Sequence, residues 1–154
     1  MNGKPSYLSK EGLDKVREEL GQMINVRRVE VAARIHEAKQ HGDLAENAEY
    51  EDAKNEQAFV EGRIQSLEGL IKNAILIDEH HSTDHVQIGS TVVVDSTDGK
   101  ETYTIVGSAE ASPPDGRISN ESPLGRALLG RRKGDTVSVT APAGELSFKI
   151  IGIT

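Results

Sequence analysis

The spacing of apolar residues divides the chain into two parts. From about Leu8 to Gln40 there is no proline, and apolar residues recur every three or four positions, which predicts one face of a long helix. The members of this stripe are Leu13, Val16, Leu20, Ile24, Val31, Ile35 and Ala38. Arg27 and Arg28 stand where the stripe lacks an apolar member, and Ser9 is the predicted N-cap.

A second helical stripe follows a short polar turn. Its members are Ala53, Val60, Ile64, Leu67, Ile71 and Ala74. Asn47 is the predicted cap of this helix, and Gly42 supplies the left-handed residue that commonly ends a preceding one. Two helices of about 30 residues joined by a few residues must run antiparallel. At about 1.5 Å per residue, the pair forms an arm about 45 Å long that carries its turn away from the rest of the molecule.

The period becomes two after a polar segment, 78–87, that is typical of a linker. The predicted strands are 91–94, 101–106, 136–140 and 146–153. Asp98 and Gly99 indicate a hairpin turn between the first two strands. A short helix is predicted with Ser122 as cap, Pro123 as first residue and Gly130 just past its end.

The predicted fold class is therefore α+β, with two domains. Residues 1–78 form an antiparallel helical hairpin, a coiled coil with an acidic tip. Residues 79–154 form a small antiparallel β-sheet domain with one short helix.

Composition excludes several functions. The 154 residues carry 18 basic and 25 acidic side chains, a net charge of −7, which argues against a non-specific duplex binder. Two Phe, three Tyr and no Trp leave no aromatic array for stacking on bases. The absence of Cys excludes disulfides, a thiol nucleophile and thiolate metal sites. No signal-like or membrane-length apolar run occurs, so we expect a soluble, cytoplasmic protein without membrane contact.

Acidic residues concentrate around the turn between the two helices. From Glu37 to Glu56 there are seven acids against two bases. Solvation of an exposed turn is the simpler explanation. Asp43 and Glu46 are nevertheless three residues apart at a tight turn, so their carboxylates can share one hard cation. Mg²⁺ takes only one or two protein carboxylates, and such a site would need a partner to complete it.

Signals for a self-contained enzyme are weak. The chain has no phosphate-binding glycine loop, nucleophile elbow or metalloprotease helix motif. His80, His81 and His85 are close enough in sequence to bind a metal, but a polar linker is also a common place for solvated histidines.

Several motifs resemble those of the bacterial Gre transcript cleavage factors. The most specific is the tip decapeptide 41–50, His-Gly-Asp-Leu-Ala-Glu-Asn-Ala-Glu-Tyr. Further matches occur in the same order as in the family at 61–64, 88–92, 122–130 and 142–145. The resemblance covers nearly the whole chain. Basic residues near the tip are few, which favours the GreA type over the GreB type.

The resemblance implies a mechanism that explains the arm. Gre factors insert their coiled coil through the secondary channel of RNA polymerase when the enzyme has backtracked and the RNA 3′ end is extruded. By this similarity Asp43 and Glu46 help hold the second, weakly bound Mg²⁺ of the polymerase active centre and position the attacking water. The protein would be an accessory to cleavage and not an enzyme, with no tightly bound metal when free and, we expect, monomeric. The family also carries an expectation of DNA binding, which the net charge does not favour.

Other positions have less specific roles. Asn47, Glu49 and Tyr50 match the tip motif and either orient it or cap the second helix. Lys39 and Lys54 match basic positions thought to approach the extruded RNA, although ion pairs with nearby acids are an equal alternative. The second domain resembles the FKBP-like domain that docks on polymerase. The docking candidates on its short helix are Leu124, Ala127 and Leu128, whose spacing also suits core packing.

Three alternatives remain open from the sequence. The basic turn Arg131-Arg132-Lys133 either meets an acidic polymerase surface or is solvated. FKBP-like folds include prolyl isomerases, but Tyr103 and Phe148 are the only aromatics of this half. A regulator that occupies the polymerase channel without promoting cleavage is the remaining alternative, and the presence of both Asp43 and Glu46 speaks against it.

Overall fold

The computed structural model describes residues 4–41, 47–78 and 82–154. Its α-helices are α1 (Lys10–Gln22), α2 (Arg28–Lys39), α3 (Ala48–Lys72) and α4 (Pro123–Leu128). Its strands are β1 (Ser6–Leu8), β2 (Ala74–Leu76), β3 (Thr91–Ser96), β4 (Gly99–Val106), β5 (Arg117–Ser119), β6 (Thr136–Ala141) and β7 (Gly144–Ile153). Within these ranges, no helix combines the length and apolar character needed to cross a membrane.

The first predicted helix is present but contains a π-helical turn. Ser9 caps it as predicted, because its Oγ accepts a hydrogen bond from the Gly12 amide at 3.0 Å. The π-helical turn Met23–Arg27 joins α1 to α2. It lies where the apolar stripe of the sequence is interrupted, and the wider turn changes which side chains face the neighbouring helix.

Helix α3 begins as predicted and ends earlier than predicted. Asn47 caps it, with Oδ1 accepting from the Tyr50 amide at 3.1 Å. The helix ends at Lys72. The prediction that Ala74 belongs to the helical stripe is therefore wrong. Ala74 instead opens β2, which pairs in parallel with β1 in the register Ser6 to Ala74. A distant strand pairing has overridden the local periodicity.

The two long helical segments pack antiparallel along a narrow seam. The buried residues of this seam are Val31, Ile35, Ala53, Val60 and Ile64. Arg28 binds both carboxylate oxygens of Glu61, at 2.9 and 2.8 Å. Arg63 binds Glu19 in the same two-pronged way, at 2.6 and 2.9 Å. Residues early in one helix thus meet residues late in the other, which confirms the antiparallel hairpin.

Charged groups at the edges of the seam perturb one another. The hydrogen bonds from Arg63 hold the pKa of Glu19 below its usual range. Glu61 raises the pKa of Arg28 in the same way. Glu56 forms ion pairs with both Arg27 and Arg34. The arginines that interrupt the apolar stripe therefore make ion pairs across the hairpin.

The other folded part is built on a five-stranded sheet in the order β5-β4-β3-β7-β6. The predicted hairpin of β3 and β4 is present. Its two-residue loop consists of Thr97 and Asp98, whereas Gly99, at φ +106°, is already in β4 and pairs with Ser96. The sheet is antiparallel except that β4 and β5 run parallel. Sequence analysis missed β5, because three residues are too few to show a period.

A single core lies between this sheet and α4. Its buried residues are Val86, Val92, Val94, Ile105, Ile118, Leu128, Val137, Phe148, Ile150 and Ile153. The short helix is as predicted: the Ser122 hydroxyl accepts from the Gly125 amide at 3.1 Å, and Gly130 follows at φ +78°. The fold class is therefore α+β, as predicted.

The division into two compact units differs from a single cut after residue 78. One unit takes in Leu13–Asn73, and the other takes in Pro5–Gly12 with Ala74–Thr154. The early segment joins the second unit because β1 pairs with β2 and because Glu110 accepts two hydrogen bonds from Ser9, each 2.7 Å long. The predicted linker also differs at its end, since Val86 is 1% exposed and belongs to the sheet core.

Candidate functional site

The residues expected to hold a metal are not among those described. Asp43 and Glu46, with Gly42, lie in the segment 42–46, outside the described ranges. The structure describes the chain on both sides of this segment, up to His41 after the end of α2 and from Asn47, the cap of α3. The candidate site can therefore be built from its surroundings.

Asn47 connects the two helices at this end of the hairpin. Its Oδ1 accepts from the Tyr50 amide of α3, while its Nδ2 donates to the Ala38 carbonyl of α2 at 2.7 Å. Ala38 is in the last turn of α2, where carbonyls lack helical partners. The same side chain thus satisfies a free donor of one helix and adds a hydrogen bond to a carbonyl of the other, which also accepts from the His41 amide at 3.2 Å. The predicted cap is confirmed, and the bond to α2 was not foreseen.

A cleft of about 300 Å³ lies beside this connection. Its lining residues are Arg34, Glu37, Ala38, Glu49 and Asp52. Arg34, the arginine of this lining, already forms an ion pair with Glu56. The net charge of the cleft is therefore set by the carboxylates of Glu37, Glu49 and Asp52. Glu49 is exposed to solvent. The described flanks of the tip are therefore negative, as the sequence count indicates, although Arg34 was not singled out there.

Tyr50 faces inward. It is half-buried and packs against the seam of the hairpin, one helical turn after the cap. Of the three residues expected to support the tip, Asn47 and Tyr50 thus stabilise the base of the turn, and Glu49 faces the cleft.

The two candidate RNA-proximal lysines are exposed. Lys54 donates to the Gln57 side chain at 3.0 Å, within its own helix. Among the described residues, neither Lys39 nor Lys54 forms one of the ion pairs that were the alternative explanation. Lys39 lies at the end of α2 and Lys54 in α3, on the helices that flank the tip.

The docking candidates on α4 differ in exposure. Leu128 is 0% exposed and belongs to the sheet core, so it has no surface to offer a partner. Leu124 and Ala127 pack against that core and are half-buried. The basic turn that follows is exposed, with the Arg132 amide donating to Asp135 at 2.8 Å.

The other candidate groups have local partners. His80 and His81 lie outside the described residues, and the His85 ring lies 3.0 Å from the side-chain nitrogen of Gln87. Within the described ranges, no group of three or more His, Asp or Glu side chains is arranged to hold a metal ion. Phe148 is buried in the core, and Tyr103 packs on it and donates to Glu101. Burial raises the pKa of Tyr103 to about 12, so its hydroxyl stays protonated at neutral pH.

Sequence comparison matches the chain along almost its whole length. The family described as "Transcription elongation factor, GreA/GreB, C-term" matches residues 81–154, and that described as "Transcription elongation factor, N-terminal" matches residues 6–76. "Transcription elongation factor GreA" of Caldanaerobacter subterraneus subsp. tengcongensis is 54% identical over 153 residues, which cover 97% of this chain and 98% of that protein. The protein of the same name from Geobacillus kaustophilus is 50% identical over 155 residues, covering 99% and 98%.

A solved structure is similar at lower identity. The crystal structure of GreA factor homolog 1 (Gfh1) of Thermus thermophilus is 30% identical, covers 98% of this chain and 99% of its own, and has a TM-score of 0.46. The family assignment is carried by the family matches and by the relatives of about 50% identity.

Proposed function

The chain belongs to the GreA/GreB family of transcription elongation factors, and from this membership we propose that it acts on bacterial RNA polymerase during elongation. It rescues backtracked, arrested polymerase by stimulating the polymerase's own cleavage of the nascent RNA 3′ end. The observation that carries this proposal is the tip motif 41–50, which in the sequence spans the connection between the two helical segments of an antiparallel hairpin. Such a hairpin has a small core and a long surface, which suits an element that reaches into a partner.

The proposal makes the protein an accessory factor. Asp43 and Glu46 supply two carboxylates and neither a nucleophile nor a complete metal site. The described flanks add negative charge through Glu37, Glu49 and Asp52. This charge favours a cation held jointly with a partner, and the reaction itself belongs to the polymerase.

The donor set fits Mg²⁺. Carboxylate oxygens are the ligands this ion takes in proteins, and one or two of them suffice when water and substrate phosphate fill the remaining positions. When bound beside a first ion, a second Mg²⁺ stabilises charge on the attacking and leaving oxygens of a phosphodiester displacement. Asp43 and Glu46 would hold that ion and orient a water. We expect no tight binding by the isolated chain, and stoichiometric micromolar Mg²⁺ binding in calorimetry would contradict this.

The remaining contacts are proposed from the resemblance to the Gre factors, and the charge and exposure of the described residues are compatible with them. The hairpin, as a coiled coil, enters the secondary channel, and the exposed ammonium groups of Lys39 and Lys54 face the phosphates of the extruded RNA. The sheet unit, as an FKBP-like domain, docks at the channel entrance. Leu124 and Ala127 remain docking candidates there, whereas the burial of Leu128 removes it. The factor works as a monomer in the cytoplasm, where its polymerase is.

The test is RNA cleavage in a purified, backtracked elongation complex with Mg²⁺. Native protein, the double variant Asp43→Ala/Glu46→Ala and no addition are compared, with polymerase affinity measured by competition. We expect acceleration by the native protein alone and equal affinity of native protein and variant. If the double variant accelerates cleavage as well as native protein, the two carboxylates do not have this role.

The main competing function has a distinct outcome in the same assay. A regulator that only occupies the channel would bind and compete but leave the cleavage rate unchanged in both forms. That result would reject cleavage stimulation and retain polymerase binding.

A further inference from the structure

The hairpin carries an exposed aromatic ring near the middle of α3. Phe59 is 69% exposed, more than any other large apolar side chain in the described ranges. The next residue, Val60, is 1% exposed and belongs to the seam. Successive helical residues are about 100° apart around the helix axis, so Phe59 stands beside the seam and outside it. The Phe59 ring therefore contributes little to the core of the hairpin.

The charged residues nearest to Phe59 on its own helix are already paired. Glu56 and Arg63 lie three residues before and four residues after Phe59, which places them on the same side of the helix. Glu56 forms ion pairs with two arginines of the opposite helical segment, and Arg63 binds a glutamate there through two hydrogen bonds of 2.6 and 2.9 Å. These partners are Arg27, Arg34 and Glu19.

The ion pairs leave the surroundings of Phe59 without net charge. Arg27 also pairs with Glu30, at 3.4 Å, so three arginines and three glutamates take part and their formal charges cancel. We call Phe59, Glu56 and Arg63 the Phe59 patch. It suits an apolar contact, because the paired charges beside the ring need no partners on another molecule.

The Phe59 patch is too small to hold a second copy of this chain. A phenylalanine side chain buries about 150 to 250 Å². Specific, stable protein–protein interfaces bury about 1,200 to 2,000 Å² in total. Two copies, each with a net charge of −7, also repel one another. The ring is therefore suited to be one anchor within a much larger interface with a different partner.

We propose that Phe59 anchors the hairpin to RNA polymerase by inserting into an apolar recess in the wall of the channel that the hairpin enters. This inference rests on the proposed function above, in which the polymerase surrounds the hairpin. Phe59 lies eleven residues after Ala48, the first residue of α3, which is about 17 Å along the helix. At this distance from the start of the helix, the ring contributes to binding and not to the cleavage chemistry.

The test compares Phe59→Ala and Phe59→Leu with a matched control, Val29→Ala. Val29 is 60% exposed on α2 and lies two residues before the buried Val31, so it points away from the seam. Affinity for polymerase is measured by displacement of labelled native protein, which requires no cleavage. We expect Phe59→Ala to lower this affinity about tenfold, as truncation of an interface anchor does. The loss should be smaller for Phe59→Leu, which keeps an apolar side chain, and absent for Val29→Ala.

Two further readouts separate an apolar anchor from a structural or electrostatic role. The cleavage rate at saturating factor and the urea midpoint of unfolding should stay native in all three variants, because neither Phe59 nor Val29 is in the core. The ratio of native to Phe59→Ala affinity should be the same at low and high salt, because salt screens charges and not apolar contacts.

Several results would overturn the anchor while the proposed function stands. These are native affinity of Phe59→Ala, an equal loss in Val29→Ala, a slower cleavage rate at saturating factor, or an affinity ratio that shrinks in high salt. A native dimer in sedimentation that Phe59→Ala converts to a monomer would identify a second copy as the occupant instead. If native protein binds polymerase without accelerating cleavage, the proposed function fails by itself, and the affinity comparison still tests the anchor.

Discussion

The helical hairpin and the sheet unit use different means to hold their shape. The sheet unit surrounds its core on two sides, with strands below and α4 above, and Leu128 and Ile150 at its centre are 0% exposed. The hairpin has one apolar seam between two helices. Its edges carry two-pronged ion pairs, Arg28 with Glu61 and Arg63 with Glu19.

The ion pairs of the hairpin contribute less to stability than the core of the sheet unit does. Exposed ion pairs add only about 0 to 1 kcal/mol each, so they cannot replace a core. They do keep two long helices in one register while leaving the outer surface polar. We therefore expect the sheet unit to be the more stable of the two parts. The hairpin has a smaller core because its residues extend along two long helices.

The largest expected contrast comes from one substitution made in each region. Ile150→Ala in the sheet unit should cost about 4 kcal/mol, because Ile150 is 0% exposed and its removal leaves a cavity between the sheet and α4. Ile64→Ala in the hairpin should cost only about 2 kcal/mol, because two helices can close part of the gap. Urea unfolding measures both, with Ile75→Ala, at a 43% exposed site, as control. Equal costs would mean that the hairpin core is as constrained as the sheet core.

Alanine substitution of two glycines, one in each region, should change the free energy of unfolding in opposite directions. A Cβ on Gly107 in the sheet unit would lie 1.7 Å from the Tyr7 carbonyl oxygen, so Gly107→Ala should destabilise by about 3 kcal/mol. Gly62 in α3 has nothing within 4 Å of such an atom, so Gly62→Ala should stabilise by about 1 kcal/mol through helix propensity.

Thermal unfolding of the two glycine variants checks both signs. Gly21→Ala, also open in α1, serves as a second helical control. A destabilising Gly62→Ala would show that this glycine is needed by the hairpin itself.

The smallest effect should come from the edge ion pairs. Glu19→Gln should lower stability by no more than about 0.5 kcal/mol, since the pair is exposed, and high salt should reduce the difference. The folded-state pKa of Glu19 is depressed by Arg63, so the pair's contribution is present above the ordinary carboxyl pKa, roughly 4.3. It is lost as pH falls through the lower folded-state pKa.

Urea unfolding of native protein and Glu19→Gln, at neutral pH and in acid, tests this. The difference between the two proteins should disappear in acid. A difference that persists there would show that Glu19 stabilises the hairpin through packing and not through its charge.

Much of the fold and part of the site could be predicted from local signals. Helix caps at Ser9, Asn47 and Ser122 each depend on residues within three positions, and all three are confirmed. The family was identified from the motif 41–50 and later landmarks, and the family comparison confirms it. The roles of Asp43 and Glu46 stay predictions, because those residues lie outside the described ranges.

Tertiary structure decided what local signals cannot carry. The sequence by itself determined the periodicity of each half, the helix starts and the hairpin of β3 and β4, since these follow from interactions between near neighbours. Only the folded chain decided that Ala74 leaves the helix to pair with Ser6 and that Glu110 binds Ser9. It also decided that the Asn47 amide reaches Ala38. These contacts join residues distant in sequence or on opposite sides of a turn, and no apolar period records them.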